Sequence, residues 1–194
     1  MAKQNPKIPP QDLEAEQSVV GALMLDSDAI ASVADLLNPD DFYKKAHGVI
    51  YEAILRLWGK REPIDILSVT SELKNMAQLQ EVGGSSYLTE LVDSVPTASH
   101  VLHYGKIVKE KKVLRDLISI SSTITEDAFS SEGEIDAFLD QVEKKVFAVS
   151  QQSVSKNFLP IRDELKSAYE RIERLHEGEG ERFRGVPTGF TELD

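Results

Sequence analysis

Histidine is the first residue type to examine for metal chemistry, and this chain of 194 residues has four of them, His47, His100, His103 and His176. Only His100 and His103 share a helix face, at a spacing of three that suits two ligands. The sequence contains no cysteine, and no pair of carboxylates lies close to these two histidines. The pattern therefore favours ordinary surface or core histidines, and we predict no metal site.

Two pairs of acidic residues, Glu14 with Glu16 and Asp40 with Asp41, have the side chains that acid–base catalysis uses. Such catalysis also needs a cleft and a nucleophile or polarising group beside the carboxylates. The sequence offers neither near these pairs, and helical spacing leaves Glu14 and Glu16 free to face water. We interpret both pairs as surface charge and predict no catalytic residue.

Phosphate chemistry is the third class to consider. The phosphate-binding loop Gly-x-x-x-x-Gly-Lys-Ser/Thr is absent, because neither glycine cluster, at 83–84 or 178–180, is followed by lysine and a hydroxyl residue in register. We predict no cofactor for this chain. A basic block could contact phosphate or form a solvated helix face; it comprises Lys106, Lys109, Lys111, Lys112 and Arg115. Because no aromatic residue interleaves with it, and Glu110 and Asp116 dilute it, the solvated face is favoured.

The charge of the chain argues against a nucleic-acid-binding surface. The chain has 22 basic and 33 acidic residues and a net charge of -11, of which residues 1–99 carry -7. An acidic half is a poor surface for nucleic acid, so protein partners are favoured. No run approaches the ~20 apolar residues that span a bilayer, and the amino end lacks the apolar centre of a signal peptide. With no cysteine, these features predict a cytoplasmic protein without membrane contact.

The elements that must position these side chains are helices, since no convincing strand pattern is present and helical spacing recurs throughout. Residues 1–11 are predicted to be a disordered tail. The first helix covers residues 12–25 with Asp12 as its N-cap, and Gly21 in its middle indicates close approach of another backbone. Further short helices are predicted at 28–37, 46–58 with Gly59 as the end, Asp65 or Ser68 to Leu73, and 87–92. We predict an all-α fold whose residues 12–96 form a compact bundle of short helices.

Residues 97–150 are predicted to form a long antiparallel helical hairpin. Thr97 can cap a helix that runs to Phe129, and a second helix follows at 134–150 after a connection of four residues. The hairpin extends past the bundle and has too little chain of its own to cover its apolar stripe. Exposed apolar surface of this kind usually marks an oligomer contact. The predicted interface residues are Ile107, Leu114, Leu117, Ile118, Ile135, Phe138, Leu139 and Val142.

The carboxyl-terminal part is predicted to be a flexible linker around one isolated helix. Residues 151–157 are polar and without periodicity. The helix at 161–176 is amphipathic and must pack on something outside itself, because a lone helix of this length is marginal in water. Its predicted docking residues are Ile161, Leu165, Tyr169 and Ile172.

Six short motifs, in order along the chain, resemble the amino-terminal part of bacterial replicative DNA helicases of the DnaB type. They are DLEAEQSVVGA at 12–22, PDDFY at 39–43 with His47 and Ile50, PID at 63–65, VPTA at 95–98, YGKIVKEK at 104–111 and GVPTGFTELD at 185–194. The resemblance implies a helicase amino-terminal domain at 12–150, divided into a head at 12–96 and the hairpin at 97–150. A linker at 151–185 and the start of a RecA-like ATPase domain at 186–194 would follow.

The resemblance also implies a function. The parent protein would be a hexameric, ATP-dependent helicase that unwinds duplex DNA at the replication fork, with ATP, Mg²⁺ and most DNA contacts in a motor domain beyond this chain. This chain would be inactive alone. It would pair with itself through the hairpin within a ring, dock primase and, in some bacteria, a helicase loader, and pack its linker helix on a neighbouring motor domain. The alternative is a free-standing helical adaptor that dimerises and has no enzymatic role. The sequence ends on the last of the six motifs, which resembles the start of a motor domain, and this argues against that alternative.

Overall fold

A computed structural model describes residues 8–130, 135–153 and 169, and every regular element in these ranges is helical. The α-helices are α1 (Leu13–Leu25), α2 (Lys45–Lys60), α3 (Ile66–Asn75), α4 (Gly84–Asp93), α5 (Val101–Ser130) and α6 (Ile135–Ser153), and two 3₁₀ helices lie at Ser27–Ser32 and Pro39–Asp41. The all-α prediction is confirmed. The chain divides into two units, Met1–Ser155 and Lys156–Asp194, and Tyr169 alone is described in the second.

Helix α1 forms and packs as its sequence predicts. The Asp12 carboxylate accepts a hydrogen bond of 3.0 Å from the Ala15 amide, which confirms Asp12 as the N-cap. A Cβ built on Gly21 would lie 2.3 Å from the Leu91 carbonyl oxygen and 2.8 Å from Val95 Cγ2. Glycine is therefore required where α1 crosses the end of α4, as the sequence indicated.

Two predictions about the head helices are wrong. The helix predicted at 28–37 is a 3₁₀ helix, Ser27–Ser32, followed by turns, and its cap is Asp26. Gly59 does not end α2, which continues to Lys60. Arg61 adopts a left-handed conformation with φ 59°, and the Glu62 amide donates to the Leu57 carbonyl over 3.0 Å. The Arg61 amide also donates to the Trp58 carbonyl over 3.0 Å. The two bonds satisfy carbonyls of the last turn, so they decide where the helix stops.

The later helices begin at α3 Ile66, α4 Gly84 and α5 Val101. Asp65 is the cap of α3, because its carboxylate accepts from the Ser68 amide over 2.8 Å, and this bond lowers the pKa of Asp65. Helix α4 begins at Gly84, three residues before the predicted start. Thr97 does not cap α5. Its hydroxyl accepts from the Ser99 amide two residues on, which closes a turn, and the helix begins at Val101.

The core lies in the head and includes the root of α5. Tyr51 is fully buried among apolar side chains, and its hydroxyl donates to the Val33 carbonyl over 3.3 Å. Burial raises the pKa of Tyr51, so the hydroxyl stays a donor. In α5 the buried residues are Val101, Gly105 and Val108. Beyond Val108, no hairpin residue whose burial is described is buried.

Helices α5 and α6 pack against each other as the predicted hairpin, and Lys145 Nζ of α6 lies 2.5 Å from the Asp127 carboxylate of α5. Helix α6 ends at Ser153, three residues past the predicted end. The first three residues of the predicted linker are therefore helical, and the remainder, 154–157, lies outside the described residues.

Candidate oligomer interface

The apolar stripe of the hairpin, predicted as an oligomer interface, is largely solvent-exposed. Five of its eight residues are 39 to 66% exposed, namely Leu114, Leu117, Ile118, Ile135 and Leu139. Phe138 and Val142 are half-buried. An isolated hairpin buries only the sides of α5 and α6 that face each other, so the outer part of the stripe has no cover within the described residues.

Ile107 has a different environment from the rest of the stripe. It lies one residue before the last buried position of α5 and packs, half-buried, against the core of the head. The periodicity of α5 runs through Ile107 without a break, so the sequence gives no sign that one end of the stripe is covered and the other is not. The exposed stripe begins farther out, at Leu114.

Four more large apolar residues of the hairpin are exposed and were not among the predicted interface residues. One of them, Leu102, is 42% exposed and lies in the first turn of α5. Val146 is 45% exposed, Phe147 61% and Phe129 90%. Val146 continues the α6 stripe at helical spacing from Leu139 and Val142, so the periodicity indicates it. Phe147 lies about 100° around α6 from Val146, and Phe129 is the second-last residue of α5. No periodic signal marks either phenylalanine.

The interpretation of Glu16 as surface charge is wrong. Glu16 is 1% exposed and accepts three hydrogen bonds, from the Tyr43 amide at 2.7 Å, the Lys44 amide at 3.2 Å and His47 Nδ1 at 2.8 Å. Three donors satisfy a carboxylate that burial would otherwise penalise. The donors lie 27 to 31 residues away along the chain, and two are backbone amides. Helical spacing therefore could not indicate them.

The same network continues to Tyr87 on α4. The Tyr87 hydroxyl is 2.7 Å from His47 Nε2 and 2.7 Å from Lys44 Nζ. Because an ammonium only donates, the hydroxyl accepts from Lys44. Because a carboxylate only accepts, His47 Nδ1–H donates to Glu16. Every polar group is paired. The arrangement joins α1, the segment before α2, α2 and α4 by hydrogen bonds, which is a structural role.

Asp41 and part of the basic block also depart from their interpretation. Asp41 is 4% exposed, and its carboxylate accepts from the Asn38 amide at 2.8 Å and from Lys109 Nζ at 2.9 Å. Arg115 donates to the carbonyl oxygens of Pro10 and Asp41. Lys109 and Arg115 therefore bind the head, and the solvated face was the wrong interpretation for them. Their contacts leave less free positive charge on this face for phosphate.

The remaining predicted sites are partly described. Among the residues described, no group of histidine and acidic side chains is placed to hold a metal ion, and no helix is long and apolar enough to cross a membrane. Tyr169, one of the four predicted docking residues of the linker helix, is 71% exposed. Ile161, Leu165 and Ile172 lie outside the described residues.

Known proteins resemble this chain in sequence. Residues 8–110 match the family described as the DnaB-like helicase N terminal domain. The chain is 48% identical over 188 residues to the replicative DNA helicase DnaB of Geobacillus stearothermophilus, covering 97% of this chain and 41% of that relative. The chain thus spans about two fifths of the relative's length.

Solved structures give the same result. The N-terminal domain of DnaB helicase from Mycobacterium tuberculosis is 40% identical, with a TM-score of 0.69, and the match covers 73% of this chain and 99% of that one. A DnaB-like replicative helicase whose structure was described with its interactions with primase is 26% identical, with a TM-score of 0.66, over 94% of this chain and 40% of that one. Both matches cover more residues than the bundle at 12–96 contains.

Proposed function

We propose, from the premise that this chain belongs to the family of DnaB-like helicase N-terminal domains, that it serves as the scaffold and linker of a hexameric, ATP-dependent replicative DNA helicase. Its own task is to hold copies together through the hairpin and to dock partners. The observation that carries this proposal is the stripe of five exposed apolar residues on α5 and α6. It lies on the part of the chain that extends beyond the self-contained head.

The apolar area of the stripe is of the size that pairing needs. Fully burying one exposed Leu or Ile side chain contributes about 1.5 to 3 kcal/mol. Because the five residues are 39 to 66% exposed, five from each of two copies would contribute about 8 to 16 kcal/mol at most. Association costs about 4 to 15 kcal/mol in lost freedom. A symmetric pair, in which the same stripe serves both copies, is the simplest arrangement.

Solution mass tests this pairing. Leu139→Asp or Leu117→Asp should convert the oligomer to monomer, because an unpaired charge at the centre of the contact costs several kcal/mol. The matched control is Ala137→Asp, an exposed α6 residue about 200° around the helix from Leu139. Light scattering after size-exclusion chromatography gives the mass, and circular dichroism checks the fold. An unchanged mass for both leucine variants would place the seam elsewhere.

We assign ATP and Mg²⁺ to the motor domain of such a helicase, because the residues of this chain do not fit a nucleotide. The sequence lacks the phosphate-binding loop, and no residue can be assigned as an Mg²⁺ ligand or arginine finger. The purified chain should neither hydrolyse ATP nor unwind DNA. Phosphate release above background, measured with ATP and Mg²⁺, would contradict this part of the proposal.

We further propose primase as a docking partner, with a helicase loader in some bacteria, and a cytoplasmic location. Support for primase comes from the structure neighbour that was described with its interactions with primase. The acidic head, with a charge of -7 over residues 1–99, favours protein over DNA contacts. Isothermal titration of the chain with the cognate primase should show saturable binding, whereas duplex DNA should give no heat of binding.

The linker helix predicted at 161–176 is proposed to dock on the motor domain of a neighbouring subunit. Its apolar residues need a partner outside the helix, as its amphipathic spacing indicates. In the full-length ring, Leu165→Asp combined with Ile172→Asp should weaken assembly and unwinding while the fold of residues 12–150 is kept. Equal, strong hydrogen-exchange protection of residues 161–176 in this chain and in the full ring would show that the helix docks within this chain instead.

A further inference from the structure

The apolar anchoring of the hairpin to the head is confined to the first turns of α5. Gly105 lies so close to Val33 and Leu36 that an added Cβ would be 3.2 and 3.3 Å from their side chains. Val101 and Val108 are buried beside it, and no residue from 109 to 130 is buried. A long helix is therefore held by a short apolar root. Packing at the root alone leaves the angle of the outer part weakly constrained.

Two basic residues beyond that root bind one turn of the head. Lys109 Nζ lies 2.9 Å from the Asp41 carboxylate, and these side chains are 19% and 6% exposed. Arg115 donates one guanidinium bond to the Pro10 carbonyl at 2.8 Å and another to the Asp41 carbonyl at 2.5 Å. Both therefore converge on the turn that holds Asp41.

Arg115 has the geometry of a brace. Its planar guanidinium joins two separate backbone segments, one before α1 and one before α2, and it lies over the Tyr43 ring with 5.7 Å to the centroid. Arg115 is the most distal α5 residue with a hydrogen bond to the head in the described part of the chain. A guanidinium that binds two backbone carbonyls at once resists rotation better than a single bond does.

A small change of angle at the root has a large effect at the tip. With a rise of about 1.5 Å per residue, the tip of α5 lies ~33 Å beyond Val108. A rotation of α5 by about 15° about Val108 would displace the tip by ~9 Å. It would displace Ser122 by ~5 Å, and this second distance is about one helical turn. Such a displacement would take the apolar stripes of two copies out of register.

We propose that Arg115, assisted by Lys109, is a positioning residue that fixes the angle between the hairpin and the head and so sets the geometry in which two stripes meet. This inference rests on the proposed pairing function for its consequence, but the angle itself is a property of one chain. Arg115 lies on the side of α5 that binds the head, so it acts on pairing through the direction of the helix.

Spin-label distances within one chain test the angle. Because the sequence has no cysteine, Glu90→Cys on α4 and Ser122→Cys on α5, both exposed, can be labelled cleanly and diluted with unlabelled chain. Arg115→Met keeps the aliphatic stem and removes all donors. Arg115→Met should shift or broaden the distribution of distances between the two labels by ~5 Å. Arg115→Lys, which keeps one donor group, should give an intermediate width.

The matched control is Lys112→Met, which removes a cation whose ion pair with Asp116 lies within α5 itself. It should leave the distribution unchanged. A distribution as narrow in Arg115→Met as in the unaltered chain would overturn the inference. So would equal broadening in Lys112→Met, since general loosening of α5 would then explain the result.

Self-association provides the second measurement and separates the two proposals. In sedimentation equilibrium, Arg115→Met should raise the dissociation constant about five- to tenfold, and Lys112→Met should not change it. If the unaltered chain is monomeric, the pairing function fails while the distances still test the brace. Weakened association with an unchanged distance distribution would make Arg115 a contact residue and would contradict its positioning role.

Discussion

In the head, Leu23, Ile54 and Leu57 are at most 2% exposed, whereas in the hairpin Leu114, Leu139 and Ile118 are 46 to 57% exposed. The residue types and their helical spacing are the same in both regions. The number of neighbouring helices differs, because several short helices can enclose a core and two helices share only one contact. The head therefore encloses a core of its own, whereas we propose that a second copy of the chain covers the outer stripe of the hairpin.

Polar groups show the same contrast. The head buries Glu16 and His47 and gives each of their polar side-chain atoms a hydrogen-bond partner. In the hairpin, the ion pair between Lys145 and Asp127 has side chains that are 36% and 42% exposed, so water screens it and its contribution is small. A buried polar network therefore joins the helices of the head, whereas the ion pair described between α5 and α6 is exposed.

The largest expected effect comes from breaking the buried network. Glu16→Ala should destabilise the head by about 3 to 5 kcal/mol, because it leaves His47 and two backbone amides buried without an acceptor. Glu14→Ala, on the exposed side of α1, should change stability by less than about 0.5 kcal/mol. Urea unfolding followed by circular dichroism measures both. Equal effects of the two variants would contradict the assigned network.

Truncation of one leucine in each region should separate head from hairpin. Leu23→Ala should cost about 2 to 5 kcal/mol through the cavity that it leaves. Leu139→Ala, measured at a concentration where the chain is monomeric, should cost less than about 0.5 kcal/mol beyond its small change in helix propensity. A comparable loss at Leu139 in the monomer would show that the hairpin is packed within one chain.

The smallest effect concerns the Asp65 cap and is dependent on pH. Asp65→Ala should destabilise α3 by about 1 kcal/mol at pH 7. The bond from the Ser68 amide lowers the pKa of Asp65 in the folded state. Its contribution is therefore present above the unfolded pKa and is lost as the pH falls through the folded value. The difference between the two proteins should shrink in urea unfolding at pH 3, and a difference that grew there would be of the wrong sign.

Periodicity and caps were enough to predict most of the fold. Asp12 caps its helix as expected, and Asp65, one of the two predicted candidates, caps α3, since a cap is a local hydrogen bond that depends on residues three apart. The ends of α2 and α5 were missed because other signals compete. A left-handed Arg61 replaced the expected Gly59, and Thr97 closed a turn of its own.

The polar contacts of the head could not be predicted in the same way. Glu16 is paired with groups 27 to 31 residues away, two of them backbone amides that any residue carries. Arg115 bonds to carbonyls 105 and 74 residues distant. The spacing of side chains along the sequence does not indicate such pairs. The apolar stripe was predictable because the same local period that forms the helix also places its exposed residues in line.

The central claim, that the head is complete in one chain and the hairpin is completed by another, is tested most directly by hydrogen exchange over a range of chain concentrations. The account predicts that amide protection of residues 135–147 in α6 rises as dilute monomer becomes oligomer, while protection of α2 (Lys45–Lys60) stays constant. Protection of both helices that is independent of concentration, in a chain shown by mass to associate, would contradict it.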